Sequence, residues 1–141
     1  MSLPTSARPL MLDTTHMDEP IRILIIDDEW LVRWALAITL KEHGCVVVER
    51  HDASSATQAV IESLEVFDVI LLDYKLPDSR GLNLLATLKR LAPTSRVMMM
   101  SAHMSQDERD EASRLGASAF VPKPFDVDAV WELVANGRSR Q

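Results

Sequence analysis

Five short apolar runs, each followed by a stretch with helical periodicity, constrain the fold of this chain more than any other feature. The runs cover residues 23–26, 45–48, 69–72, 97–101 and 119–121. They are too short for helices and lack the alternation of a half-exposed strand, so each run predicts a buried strand. Strands that alternate with helices form parallel sheets with helices on both faces. The sequence therefore predicts an α/β fold with a doubly wound, five-stranded parallel sheet.

Local signals predict where several helices begin and end. Gly44 and Gly116 are predicted to stop the first and fourth helices, because glycine readily adopts the left-handed conformation found after many helices. Residues 55–58 and 105–108 have the Ser-x-x-Gln and Ser-x-x-Glu spacing of capping boxes. The first of these predicts that the second helix starts at residue 55 and runs towards Glu65.

Composition narrows the possible functions. A length of 141 residues suits one globular domain, and a net charge of -6 argues against binding a nucleic-acid backbone. Cys45 is the single cysteine, which excludes an intrachain disulfide and fits a reducing compartment. No apolar run reaches the roughly 18 residues of a membrane span. We therefore predict a cytoplasmic protein that makes no direct contact with nucleic acid or with a membrane.

The regular pattern begins only at residue 21. Residues 1–20 contain three prolines and scattered charges without helical or strand periodicity, which predicts a disordered leader. Residues 21–137 carry the alternating pattern and are predicted to form the folded domain. Residues 138–141 are predicted to be a tail or the start of a linker.

Polar side chains follow the apolar runs at the point where each predicted strand ends. Asp27 and Asp28 follow the first run, Asp73 the third and Lys123 the fifth, while Ser101 ends the fourth. In open α/β sheets the ligand chemistry lies just outside the carboxyl ends of the strands, so these residues are expected to converge. Three carboxylates brought together repel one another unless they share a cation, and hard oxygen ligands suit Mg²⁺.

Four motifs occur in a fixed order along the chain: Asp27-Asp28, Asp73-x-x-x-Pro77-x-x-x-Gly81, Ser101-Ala102 and Phe120-Val121-Pro122-Lys123-Pro124-Phe125. Together they resemble the receiver domain of bacterial two-component response regulators over residues 21–134. The chain is most similar to receivers of the nitrogen-regulation type, which normally precede an ATPase and a DNA-binding domain. The resemblance implies a flavodoxin-like (βα)5 fold with strand order 2-1-3-4-5. It leaves open a freestanding relay protein or the receiver of a longer transcription regulator.

The resemblance also implies a phosphorelay chemistry for these residues. Asp73 would accept a phosphoryl group from a sensor histidine kinase, a phosphotransfer protein or a small phosphodonor. Asp28 and Asp73 would ligate Mg²⁺ directly, Asp27 largely through water, and the Lys75 carbonyl would complete the protein ligands. The Lys123 ammonium would neutralise oxygen charge during transfer. The chain would then be a signalling domain, whose only catalysis is its own phosphorylation and dephosphorylation.

Four residues near the site are implied to control switching and lifetime. Ser101 would hydrogen-bond the phosphoryl group, and its movement would let the Phe120 ring turn inward, changing the surface of the fourth helix and fifth strand. Phe120 lacks the hydroxyl of family members with tyrosine, and a permanently buried core position is the alternative. Lys75 and His103 would rim the pocket and slow hydrolysis; otherwise they are solvated loop side chains. The resemblance also suggests a cis bond before Pro124.

The first predicted helix carries two apolar stripes on nearly opposite faces. The core stripe is Val32, Leu36 and Leu40, and the second stripe is Trp30, Trp34 and Ile38. Exposed aromatic residues on one face suggest a docking surface for a histidine kinase or phosphotransfer protein, or a homodimer contact. The alternative is that Trp34 packs under a neighbouring loop.

Other classes of function fit the residues less well. A magnesium-dependent aspartyl phosphatase would need a second acid two residues after Asp73, where this chain has Lys75. A flavodoxin-like FMN carrier would need a Ser/Thr/Gly-rich loop after the first strand, where acids would repel the phosphate. A pseudo-receiver that binds partners without phosphorylation is the closest alternative, although every site residue is present.

Overall fold

The computed structural model describes residues 19–80 and 82–139. Most of the predicted leader, residues 1–18, lies outside the described residues, as do Gly81 and residues 140–141 of the predicted tail. Within the described ranges, no helix is long and apolar enough to cross a membrane.

In the described part of the chain, five parallel strands form one sheet in the order β2-β1-β3-β4-β5. The strands are β1 (Arg22–Ile26), β2 (Val46–Arg50), β3 (Val69–Asp73), β4 (Arg96–Ser101) and β5 (Ala117–Pro122). The central strand β3 is buried along its whole length, as expected for an apolar run covered on both faces. This topology confirms the predicted fold class and strand order.

Among residues 19–80 and 82–139, five helices cover the two faces of the sheet. They are α1 (Trp30–Glu42), α2 (Ala53–Glu62), α3 (Asn83–Leu91), α4 (Gln106–Arg114) and α5 (Val127–Ser139). Successive strand residues point to opposite faces, so Ile70 and Leu72 pack with α2, α3 and α4, while Val69 and Leu71 pack with α1 and α5. The two cores hold the carboxyl ends of the strands along a single edge.

The predicted helix stops and one capping box are confirmed. Gly44 and Gly116 have φ angles of +86° and +111°, in the region that favours glycine. The Ser105 hydroxyl accepts a hydrogen bond from the Glu108 amide at 3.1 Å, and the Glu108 carboxylate accepts one from the Ser105 amide at 2.8 Å. This reciprocal pair is the predicted capping box at the start of α4.

Several predicted boundaries are wrong. The N-cap of α2 is Asp52, whose carboxylate accepts a hydrogen bond from the Ser55 amide at 2.8 Å, so Ser55 lies inside the first turn. The same helix ends at Glu62 and does not continue to Glu65. Strand β2 spans residues 46–50 rather than 45–48, and β5 begins at residue 117 rather than 119.

The carboxylate of Asp78, which is distant in sequence, also caps the start of α2. Asp78, in the loop after β3, accepts hydrogen bonds from the amides of Ala53 at 2.7 Å and Ser54 at 3.0 Å. Amides in the first turn of a helix have no partner within the helix, so this contact satisfies two of them. It also ties the loop after Asp73 to a neighbouring helix.

Replacing Asp78 with alanine should lower the free energy of unfolding by about 1 kcal/mol, because two α2 amides lose their acceptor. Chemical denaturation of the purified chain measures the change. Glu42→Ala, at the exposed end of α1, is the matched control and should not reduce stability. Equal stability of Asp78→Ala and wild type would show that the contact contributes nothing.

Candidate functional site

Three aspartates meet at the carboxyl edge of the sheet. Asp27 and Asp28 follow β1 and Asp73 ends β3, and these two strands are hydrogen-bonded neighbours. One carboxylate oxygen of each residue lies within 4.8 Å of the others. Asp27 is fully buried and Asp73 is 5% exposed, whereas Asp28 faces solvent. The predicted convergence is present, and the group could hold a metal ion.

The ammonium group of Lys123 lies among these acids. It follows β5, where its backbone amide donates to the Ser101 carbonyl at 2.8 Å and the Lys123–Pro124 bond is cis. Its Nζ atom is 2.8 Å from Asp27 Oδ2 and 3.4 Å from Asp73 Oδ1. One cation therefore bridges the two buried carboxylates, which partly offsets their mutual repulsion.

Glu29 is a fourth acid that the sequence reasoning did not assign to the site. Its Oε1 atom lies 3.3 Å from Lys123 Nζ. Its backbone amide donates a hydrogen bond to Asp27 Oδ1 at 2.9 Å. The sequence could have indicated this role, because Glu29 directly follows the Asp27-Asp28 pair.

Arg33 is a second residue that sequence reasoning missed. Its guanidinium donates a hydrogen bond to the Asp27 carbonyl at 2.6 Å and lies 3.5 Å from a Glu49 carboxylate oxygen. It thereby fixes the loop that carries Asp27 against α1 and β2. Nothing in the local sequence distinguishes this arginine from a solvent-exposed one.

The buried acids change the protonation behaviour of the site. Burial, together with the negative charge of Asp27, raises the pKa of Asp73 to about 7. Burial disfavours the charged form of Lys123, but the hydrogen bond and charge of Asp27, with smaller contributions from Asp73 and Glu29, outweigh it and raise the Lys123 pKa. Without a further cation, the site thus favours a charged lysine beside a carboxyl group that readily accepts a proton.

Of the two predicted switch residues, Ser101 ends β4 and Phe120 lies within β5. The Ser101 hydroxyl accepts a hydrogen bond from the His103 amide at 3.0 Å. Phe120 is half-buried and lies under the Arg109 guanidinium, 5.9 Å from the ring centroid. Ser101, His103 and Phe120 are among the residues that line one cavity of about 90 Å³.

The predicted rim residues are exposed. Both the Lys75 and His103 side chains face solvent on loops that follow β3 and β4. The backbone amide of Lys75 donates a hydrogen bond to Asp73 Oδ1 at 3.2 Å, which helps to orient the carboxylate. Exposure on these loops fits both the predicted rim and the alternative of solvated loop side chains, so the role of the two residues stays a prediction.

The second apolar stripe of α1 faces solvent. Trp30 is 65%, Trp34 54% and Ile38 38% exposed among the described residues. On the core stripe, Leu36 and Leu40 are buried and Val32 is half-buried against the core. Since more than half of Trp34 is exposed, the described chain gives it no covering loop. The predicted separation of a core stripe from an exposed aromatic stripe is confirmed.

The fold and the acid–lysine cluster together match one known family. The family model described as the response regulator receiver domain covers residues 23–135. The chain belongs to this family. Its five-stranded sheet and the order of its motifs are those of receivers in two-component systems.

The similar curated proteins include transcription regulators and a phosphotransferase. The DNA-binding transcriptional regulator NtrC of Proteus hauseri is 33% identical over 112 residues, which is 79% of this chain and 23% of that protein. The sporulation initiation phosphotransferase F of Bacillus subtilis is 32% identical, with 80% of this chain and 90% of that protein covered. The chain thus spans about a quarter of the length of the regulators of the NtrC type.

Solved structures show the same architecture. A CheY-like receiver from Methanospirillum hungatei superposes with a TM-score of 0.80 at 25% identity, covering 86% of this chain and 96% of that one. A response regulator from Burkholderia pseudomallei, solved with a phosphorylated aspartic acid, a calcium ion and citrate, gives 0.74 at 27% identity. That match covers 84% of this chain and 69% of the other.

Proposed function

We propose that Asp73 accepts a phosphoryl group from a sensor histidine kinase or a phosphotransfer protein, with both proteins meeting in the cytoplasm. The observation that carries the proposal is the placement of the Asp73 carboxylate, which is buried at the end of β3 with Lys123 Nζ 3.4 Å from Oδ1. The phosphorylated aspartate of the similar Burkholderia protein supports it.

In the transfer step, an Asp73 carboxylate oxygen attacks the phosphorus atom of the donor phosphohistidine. The phosphorus–nitrogen bond breaks, and its electron pair returns to the imidazole nitrogen. Lys123 binds phosphoryl oxygens and neutralises their charge, which is the main protein contribution to this kind of reaction. The hydrogen bond from the Lys75 amide holds one Asp73 oxygen in place and leaves the other to react.

The acidic cluster also suits a divalent cation. Its donors are carboxylate oxygens, the ligands that Mg²⁺ prefers, and one lysine leaves the four acids of the site with excess negative charge. Asp27, Asp28, Asp73 and the Lys75 carbonyl would hold the ion. When bound, Mg²⁺ neutralises oxygen charge on the carboxylate and the phosphoryl group.

The output follows from the added charge. Phosphorylation adds about -1.5 to -2 charges, and the new oxygens would attract the Ser101 hydroxyl away from the His103 amide. The cavity that both Ser101 and Phe120 line would give the ring space to move. The surface formed by α4 and β5 would then change and carry the signal. A near-complete switch needs a preference of about 5.5 kcal/mol for the active state.

The proposal is tested by intact mass after incubation with Mg²⁺ and acetyl phosphate. Wild type should gain one phosphoryl group, and Asp73→Asn should gain none. Asp126→Asn, an exposed acid after β5, is the matched control and should react as wild type does. No adduct on wild type, with no binding of beryllofluoride, would overturn the proposal and favour the pseudo-receiver.

Replacing either rim residue should shorten the lifetime of the phosphorylated protein. Lys75 and His103 are exposed loop residues beside the site, so their bulk and charge would hinder the attacking water. We expect Lys75→Asn and His103→Ala to speed decay by about threefold or more. The decay of the phosphorylated mass with time measures it, and unchanged half-lives would contradict the role.

The exposed stripe of α1 is the proposed docking face for the kinase. A Trp30→Ala, Trp34→Ala variant should slow phosphotransfer from a histidine kinase by about tenfold, since aromatic anchors dominate such contacts. Uptake from acetyl phosphate should not change. Ile61→Ala, an equally exposed apolar residue on α2, is the control. A variant with normal transfer but lost self-association would assign the face to a homodimer instead.

A further inference from the structure

We propose that the groove between α3 and α4 is a docking surface for a partner's positively charged amphipathic helix. This groove is separate from the α1 stripe and shares α4 with the α4–β5 switch surface. It has an open volume of about 530 Å³. Its lining residues are Tyr74, Leu82, Asn83, Ala86, Asp107, Glu108, Glu111 and Leu115.

The shape and polarity of the groove suit an apolar helix face. Leu82, the N-cap of α3, and Ala86 stand one turn apart, and Leu115, the C-cap of α4, also lines the groove. The small Ala86 side chain leaves depth for an inserted residue, and Tyr74 forms an aromatic part of the lining. Apolar grooves of this kind bind side chains spaced one helical turn apart on a partner.

The acidic residues on the α4 side of the groove favour a positively charged partner helix. Asp107 and Glu111 are one turn apart on α4 and line the groove together with Glu108. None of the lining residues is basic. Arg114 offsets part of this charge, because its guanidinium lies 2.7 Å from Glu111 Oε1. A helix with lysine or arginine beside its apolar face complements the α4 side of the groove, whereas an acidic helix is repelled.

Tyr74 connects the groove to the phosphoacceptor. It directly follows Asp73, and its hydroxyl donates a hydrogen bond of 2.5 Å to Glu108 Oε2. The other oxygen of Glu108 accepts from the Ser105 amide at the start of α4. A shift of α4 on phosphorylation must therefore change the groove. This coupling rests on the proposed function, whereas docking itself does not.

The test uses two synthetic helical peptides as probes. One is an amphipathic peptide of leucine and lysine, and the other has glutamate in place of each lysine. Titration into the isotope-labelled chain, followed by amide chemical shifts, should show the lysine peptide binding with shifts concentrated at Ala86, Tyr74 and Leu115. Equal binding of both peptides, or shifts concentrated elsewhere, would overturn the docking surface.

Charge-reversal variants then test whether the acidic residues of α4 determine peptide binding. Asp107→Lys with Glu111→Lys should weaken the lysine peptide by about tenfold or more. Asp128→Lys with Glu132→Lys makes the same change in net charge on exposed positions of α5 and should weaken it much less. If both double variants lost the same peptide affinity, net charge alone would explain the effect, and the proposal would be overturned. Glu108 is kept because it caps α4.

A last comparison separates docking from coupling. Peptide affinity is measured before and after acetyl phosphate, with phosphoryl occupancy read by mass in the same samples. Phosphorylation should change the affinity by about threefold or more, and Tyr74→Phe should reduce that ratio. Full occupancy without any change in affinity overturns the coupling. If no phosphoryl group is added, the result counts against the proposed function. Peptide binding to the unphosphorylated chain then still tests whether the groove is a docking surface.

Discussion

Replacing Lys123 with methionine should slow phosphoryl uptake by at least about 100-fold, comparable to removing one donor from an oxyanion site. Lys123 Nζ lies 3.4 Å from Asp73 Oδ1, and the side chain is only 14% exposed. Its charge therefore acts where solvent screens weakly. Methionine keeps the length and apolar packing of the stem but removes the positive charge.

The measurement is the rate of mass gain with acetyl phosphate in saturating Mg²⁺. Excess metal is needed because Lys123→Met also removes the cation that bridges Asp27 and Asp73, and a buried unpaired carboxylate is destabilising. Thermal unfolding of each variant confirms that it is folded under the assay conditions. Lys41→Met, in the last turn of α1, is the control. A rate within about threefold of wild type would remove Lys123 from the transfer step.

The convergence of the site could be predicted from sequence because it follows from topology. Asp27, Asp73, Ser101 and Lys123 each stand at the end of an apolar run, and parallel strands place all such ends at one edge. No knowledge of side-chain contacts is needed for that step. Helical periodicity alone separates Trp34 from the buried stripe, but it could not decide whether a neighbouring loop covers this residue.

Long-range hydrogen bonds could not be predicted in the same way. Asp78 reaches α2 across 25 residues of sequence, and Tyr74 reaches α4 across 34. Both contacts depend on how neighbouring loops and helices pack, which no local pattern encodes. The misplaced start of α2 has a local cause: Ser55 matches a capping pattern, but the Asp52 carboxylate three residues earlier accepts its amide first.

Removing the Asp73 charge should stabilise the metal-free protein at high pH. The pKa of this carboxyl group is raised to about 7 in the folded chain, against about 3.9 in an unfolded one. The folded state therefore binds more protons between these values. Stability is highest below about pH 4 with respect to this group, and it falls as the pH rises towards 7.

Asp73→Asn removes this loss, because the amide has no charge to bury. Because the Asp73 pKa shifts from about 3.9 in the unfolded chain to about 7 in the folded one, the gain in stability has an upper limit of about 4 kcal/mol. Because local relaxation lowers the cost of a buried charge, we expect a gain of about 1 to 3 kcal/mol over wild type at pH 8 in EDTA. The gain should shrink steadily as the pH falls to 5. Denaturant unfolding across this range measures it, with Asp126→Asn as the exposed control.

Magnesium should stabilise wild type more than it stabilises Asp73→Asn. A cation that binds the folded wild type at 100 times its dissociation constant adds about 2.7 kcal/mol of stability, and Asp73→Asn loses one of the charged ligands. Wild type should therefore gain more than the variant when EDTA is replaced by excess Mg²⁺ at pH 8. A wild-type stability that rises with pH relative to Asp73→Asn in EDTA would contradict the raised pKa. Equal magnesium gains in both proteins would instead place the metal away from Asp73.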